Sequence, residues 1–275
     1  MDRKKVGLAL SGGGARGFAH LGVLKVLEAH NIPIDFIAGT SAGSIAGAAL
    51  ASGLTVAEII EMGRKASWYN FVGFPYSTKG LLSNAPMGEF YKRHLPINRF
   101  EDLKIPFAAV ACDLETGEEV VFKENGDLIM AIRASCAIPG VFVPVEDETG
   151  KRFIDGGVVA AVPTKAVRKL GAEIIIAVDV ISSGAKYWGS PSTLLGVVFQ
   201  SMMMLLRAAS KAHHFRADVV IIPAIAHLRP DEIGKMDEFI KAGEEAALEK
   251  IDEIKALINT ETLKNLKKMP AENAE

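Results

Sequence analysis

The residues with the clearest chemical potential are Gly39-Thr40-Ser41-Ala42-Gly43. They read G-x-S-x-G, between the short run Asp35-Phe36-Ile37-Ala38 and a helix-like run from Ser44 to Ser52. Strand, sharp turn and helix in that order set one serine hydroxyl at the tip of a turn above a sheet. Gly39 and Gly43 suit a turn too crowded for a Cβ. Ala42, Gly43, Ser44, Ala46, Gly47, Ala48 and Ala49 make the following helix small enough to pack closely. The chemistry this points to is attack by Ser41 on an acyl carbon. The plainer alternative is a glycine-rich turn with a solvent-facing serine.

A second glycine cluster lies upstream. Lys5 to Leu10 reads as a buried strand, Ser11 to Gly17 as a loop, and Phe18 to Ala29 as a helix. Backbone N–H groups of such a loop, at the positive end of a helix dipole, bind anions. The anion could be a phosphate or the oxyanion of a tetrahedral acyl intermediate. Gly12, Gly13, Gly14, Ala15, Arg16 and Gly17 are the candidate cradle, with Arg16 adding a cation.

Gly12, Gly14 and Gly17 also satisfy the dinucleotide pattern G-x-G-x-x-G, which keeps a non-catalytic nucleotide-binding module in view. That pattern expects an acidic residue closing the second strand. Asp35 opens that strand and Gly39 closes it, so the ribose partner is missing.

Hydroxyl attack needs a proton acceptor within hydrogen-bond reach. Asp155 ends a short strand and is followed by Gly156 and Gly157, which leave a carboxylate at a tight turn. Asp113 and Asp179 also end strand-like runs. Of the six histidines, His227 follows the last strand, and the order Ser41, Asp155, His227 is that of an α/β-hydrolase triad. The elbow's position after only the second strand speaks against that triad. No H-E-x-x-H, C-x-x-C or clustered-carboxylate metal signature appears, so neither a metal nor another cofactor is expected.

Taken together, G-G-G-x-R-G (Gly12 to Gly17), G-T-S-A-G (Gly39 to Gly43) and D-G-G (Asp155 to Gly157) resemble the patatin-like phospholipase family. The segment Ala134 to Phe142 is also similar to that family's approach to its D-G-G motif. The resemblance spans residues 4–258, with the motifs in the family's order. It implies a three-layer α/β/α fold with a mainly parallel central sheet. It further implies a lipid acyl hydrolase working through a Ser41–Asp155 dyad without histidine, on phospholipid or lysophospholipid esters.

The elements that must position these groups alternate between strand and helix, as a mainly parallel sheet requires. Helices are predicted over Thr55–Lys65, Asp127–Cys136, Val162–Leu170, Leu194–His214 and Asp231–Ile258. Strands are predicted over Pro106–Leu114, Glu118–Lys123, Phe142–Glu146, Arg152–Ile154, Ile174–Val180 and Asp218–Pro223. Residues 67–106, rich in aromatics and broken by Pro75 and Gly80, read either as a cap or lid over the site or as a plug of the core. One domain is expected over residues 1–262, with a disordered tail over 263–275.

At 275 residues, 49% hydrophobic and 23% charged, the composition suits one globular α/β domain. A net charge of −2 without a basic run argues against nucleic acid as a partner. Cys112 and Cys136 read as reduced core thiols, in keeping with a cytoplasmic protein. Val6 to Leu10 is too short for a leader segment, and Leu194 to Leu206 is short for a bilayer span. Trp68 to Tyr76 and Leu194 to Leu206 are the two candidate lipid entrances, with core packing as the alternative. The expected partner is thus a lipid or fatty-acyl ester, with peripheral membrane contact.

Overall fold

Strand β1 (Val6–Leu10) is apolar and buried along its whole length, the mark of a strand covered on both faces. The computed structural model describes residues 3–74, 80–184 and 191–266. After β1 come α1 (Phe18–Ala29), β2 (Phe36–Thr40), α2 (Ala42–Ala51), α3 (Val56–Arg64), the single turn α4 (Trp68–Phe71) and α5 (Ala85–His94). Then follow β3 (Phe107–Asp113), β4 (Glu119–Lys123), α6 (Leu128–Ser135), β5 (Val145–Glu146), β6 (Arg152–Asp155) and the short α7 (Gly157–Ala160). The chain continues through α8 (Thr164–Leu170), β7 (Ile174–Val178), α9 (Leu194–His213), β8 (Val219–Ile221), α10 (Met236–Leu248) and α11 (Ile251–Leu266).

The strands form one sheet in the order β5-β6-β3-β2-β1-β7-β8, with β4 paired to β3. Strands β3, β2, β1, β7 and β8 run parallel; β4 and β6 pair antiparallel with β3, and β5 with β6. Alternate residues of β1 and β7 face opposite layers. Leu8, Leu10, Ile174 and Ile176 join the core under α1, α2 and α10. Ala9, Ile175 and Ala177 join the core with Val167 of α8. The architecture is a mixed α/β fold with a central sheet and helices on both faces. Helix α1 crosses α10 at close range: a Cβ on Gly22 would lie 1.9 Å from the Ile240 carbonyl oxygen.

Several elements differ from the sequence reading. Helix α5 forms inside the stretch read as a cap or plug. Pro86 sits in its first turn, where no N–H is required, and Met87, Phe90 and Tyr91 are buried. The helix predicted over Val162–Leu170 starts only at Thr164, because Pro163 stands at its N-cap. The long helix predicted over Asp231–Ile258 is a 3-10 turn (Ile233–Lys235) followed by α10 and α11. Asp252 and Glu253 restart the second of these, where acidic groups favour a helix N-terminus. Helix α11 reaches Leu266, past the boundary expected at residue 262; residues 267–275 of the expected tail lie outside the described residues.

Candidate active site

Ser41 follows β2 directly and caps α2 with φ 51° and ψ −124°. A positive φ is strained for a non-glycine residue and marks a sharp elbow. The crowding expected at Gly39 and Gly43 is real: Cβ atoms there would fall 2.3 and 2.2 Å from backbone carbonyl oxygens. Ser135, at the end of α6, braces the elbow. Its Oγ accepts the Ser41 N–H at 2.8 Å and donates to the Val110 carbonyl at 2.6 Å. The Ser44 hydroxyl donates to the Ser41 carbonyl at 2.6 Å.

The Ser41 hydroxyl donates to Asp155 Oδ2 at 2.6 Å. Asp155 ends β6, and its other oxygen, Oδ1, accepts the Gly157 N–H at 2.7 Å. Ser41 and Asp155 are only 6% and 7% exposed. Burial pushes the Asp155 carboxyl up to about 6, against the opposing pull of the hydrogen bonds from Ser41 and Gly157. The pair therefore combines a buried carboxylate of raised basicity with a hydroxyl already in contact with it.

The glycine loop follows β1 and lies beside the elbow. Its N–H groups are not equivalent. Those of Gly12, Ala15 and Arg16 donate to the carbonyls of Ala161, Pro230 and Gly13. Gly17 belongs to the 3-10 turn Gly14–Gly17. Among the described residues, no acceptor meets the N–H of Gly13 or Gly14. Their φ values, +155° and +59°, are those an L side chain rarely adopts. Arg16 departs from its expected place as a cation facing the site. Its guanidinium is buried and donates to the carbonyls of Val180, Gly184, Ile225 and Leu228, tying two loops beneath the cradle.

The other candidates lie elsewhere. Asp113 pairs with Lys151 and accepts the N–H groups of Glu115 and Thr116, which hold its carboxyl at about 2. Asp179 accepts from His214 at 2.7 Å. His227 is exposed, and among the described residues no histidine bonds to Ser41 or Asp155. His20 is buried against the Ser11 carbonyl, and burial lowers it to about 4. Asp35 bonds Arg3 and the Val6 N–H, at the end of the sheet away from the glycine loop. Cys112 and Cys136 are buried free thiols. No His, Cys, Asp and Glu cluster among the described residues is arranged to hold a metal.

A cavity of about 440 Å³ opens over Ser41 and Asp155. Gly13 and Gly14 line it, together with Gln200, Met202, Met203 and Leu206 of α9. The outer side of α9 exposes Val197, Val198, Met204 and Leu205. The two proposed lipid entrances thus divide. In the aromatic stretch, Phe71 packs on Phe90 and Tyr91, whereas Tyr69 and Phe74 stand nearly fully exposed. The side chain of Trp68, and residues 75–76, lie outside the described residues. None of the described helices is long and apolar enough to cross a membrane.

Fold and site define a mixed α/β protein with a serine–carboxylate pair on a strand-to-helix elbow. The chain belongs to the patatin-like phospholipase family, whose model matches residues 8–168. It is 35% identical over 184 residues to a patatin-like phospholipase domain-containing protein of Caenorhabditis elegans, covering 64% of this chain and 13% of that protein. It is 36% identical over 188 residues to a lysophospholipase of Coccidioides immitis, covering 64% of this chain and 12% of that protein. An uncharacterized NTE-family protein of Mycobacterium bovis is 35% identical over 184 residues, covering 66% of this chain and half of that protein. The chain thus matches an eighth to a half of these relatives' lengths. VipD from Legionella pneumophila shares the fold, with a TM-score of 0.55, 13% identity, and coverage of 92% of this chain and 67% of VipD.

Proposed function

We propose that the chain hydrolyses carboxylic esters of lipids, with Ser41 as nucleophile and Asp155 as the only general base. The observation that carries this reading is the 2.6 Å bond between Ser41 Oγ and Asp155 Oδ2 at the floor of the 440 Å³ cavity. The names of its relatives support phospholipids or lysophospholipids as the substrate class.

In this mechanism Ser41 Oγ attacks the ester carbonyl carbon while Asp155 accepts its proton. The N–H groups of Gly13 and Gly14 donate to the oxyanion. The bond to the alcohol oxygen breaks as Asp155 returns the proton to the leaving alkoxide. Water then attacks the acyl-enzyme and gives a proton to Asp155. That proton passes back to Ser41 as the fatty acid leaves. Contact with a lipid surface, through the exposed apolar side of α9, belongs to the same reading.

A fluorophosphonate tests it. Labelling should fall on Ser41, as mapped by mass spectrometry, and Ser41→Ala should abolish both labelling and ester hydrolysis while the protein stays folded. Turnover near normal in Ser41→Ala would reject the nucleophile. A folded but inactive His227→Ala would replace the dyad with a triad.

A further inference from the structure

Ser41 borders two cavities. Besides the 440 Å³ cavity, a second of about 140 Å³ reaches it from the helical layer. Gly14, Ser41, Ile138 and Phe142 line both, so these residues form the partition between them. The second pocket runs between α2, α3 and α5, among Ile45, Met62, Phe71, Met87 and Tyr91. Apart from the Ser41 and Tyr91 hydroxyls and the Cys136 thiol, its side chains are hydrocarbon or thioether. The larger cavity, by contrast, carries Gln200, Arg229 and Asp231 on its wall.

An ester carbonyl held at Ser41 sends two arms in different directions, the acyl chain and the alcohol. A dry apolar pocket takes hydrocarbon and rejects a polar head group, whose buried polar atoms would go unpaired. We infer that the 140 Å³ pocket is the acyl site and that the alcohol arm occupies the larger cavity. This inference rests on the ester-hydrolase reading above. An engineered apolar cavity of about 150 Å³ accommodates benzene, so this pocket holds about six carbons of the chain. Met62 and Met87, flexible and polarizable, shape its wall. Ile45 and Met62 then set how far along the acyl chain binding energy is gained.

A series of p-nitrophenyl esters from acetate to decanoate tests this, with wild-type protein and two variants. Wild-type kcat/KM should rise from acetate to hexanoate by on the order of 100-fold, at the usual gain per buried methylene, and level off beyond octanoate. Ile45→Phe fills the pocket and should cut the hexanoate-to-acetate ratio by about tenfold or more. Met62→Ala enlarges it and should extend the rise to decanoate. Melting temperatures report whether each variant is folded, and the two variants act in opposite directions. A crystal structure after reaction with a p-nitrophenyl hexylphosphonate gives an independent reading. Its hexyl chain should lie between Met62 and Tyr91. A hexyl chain in the larger cavity, or ratios unmoved in both folded variants, would overturn the assignment while leaving the hydrolase reading intact. Loss of all Ser41-dependent ester cleavage in the wild type would instead reject the hydrolase reading and the acyl site with it.

Discussion

At the scale of single residues, the proposed mechanism turns on one buried carboxylate. Asp155 lies at about 6 in the folded chain and at 3.8 in the unfolded one. In its proposed role as base it works only when ionised, so kcat/KM on a soluble ester should rise with pH and reach half its plateau near 6. A flat profile between pH 5 and 8 would remove Asp155 from that role. The same shift has a cost in stability. The native state holds the proton more tightly than the unfolded chain, so stability present below 3.8 is lost as pH rises through about 6. A shift of this size corresponds to about 3 kcal/mol at most. Asp155→Asn should therefore be inactive and, near pH 8, more stable than wild type by about 1–3 kcal/mol. Near pH 3 the difference should vanish. Denaturation curves at the two pH values check both signs. Gly13→Ala should lower turnover about 10²–10³-fold by misaiming one oxyanion donor, since its Cβ would lie 2.5 Å from Val180 Cγ2. Unchanged turnover in that variant would exclude the Gly13 N–H from the cradle.

At the scale of elements, what positions the site is a set of braces between loops. Arg16 is the chief one: a buried guanidinium gathers carbonyls from the segments after β7 and after β8. Its planar fork reaches several acceptors together, which an ammonium cannot do. Arg16→Ala should strand buried carbonyls and cost about 3 kcal/mol or more, with turnover falling as the cradle loosens. Arg16→Lys should recover little of either, by denaturation and by kcat. Full rescue by lysine would mean that charge alone matters there. This brace shows why the sequence could be read only in part. Ser41, Asp155 and the glycine loop were legible because each lies in a short run whose spacing encodes a turn. Arg16 sits in such a run too, but only the chain's return through residues 180–184 and 225–228 determines where its side chain points. Ser135 is one hydroxyl in Ala134 to Phe142, and its bonds join α6 to the elbow after β2 and to β3, a relation no local pattern records. Helix α1 matches its sequence reading to the residue and strand β1 to within one, Lys5, because apolar runs and glycines bound them. Helix α5 escapes the sequence reading because residues 67–106 are taken together as a stretch broken by Pro75 and Gly80, although Pro86 lies in a first turn, where a proline is harmless.

At the scale of the whole molecule, the unusual feature is a helix apolar on two sides. The inner side of α9 lines the cavity over Ser41, and its outer side leaves Val198, Met204 and Leu205 at 58%, 61% and 72% exposure. A water-facing helix normally turns polar residues outward. A lipid surface against this side would bury the exposed stripe and bring ester groups next to the cavity. The chain's net charge is −2, so electrostatic attraction to anionic lipid contributes little. Binding to zwitterionic vesicles should then be reversible and nearly insensitive to salt, because it rests on apolar burial rather than on screened charges. Val198→Ser combined with Leu205→Ser should weaken that binding about tenfold or more. Hydrolysis of a short soluble ester and the melting temperature should stay close to wild type, since both side chains already face water. Vesicle sedimentation and parallel assays on vesicular and soluble esters read the result. Equal losses on both substrates, with a lowered melting temperature, would make the stripe a packing surface. Binding abolished by moderate salt would transfer the contact to charged groups such as the exposed Lys211 of α9.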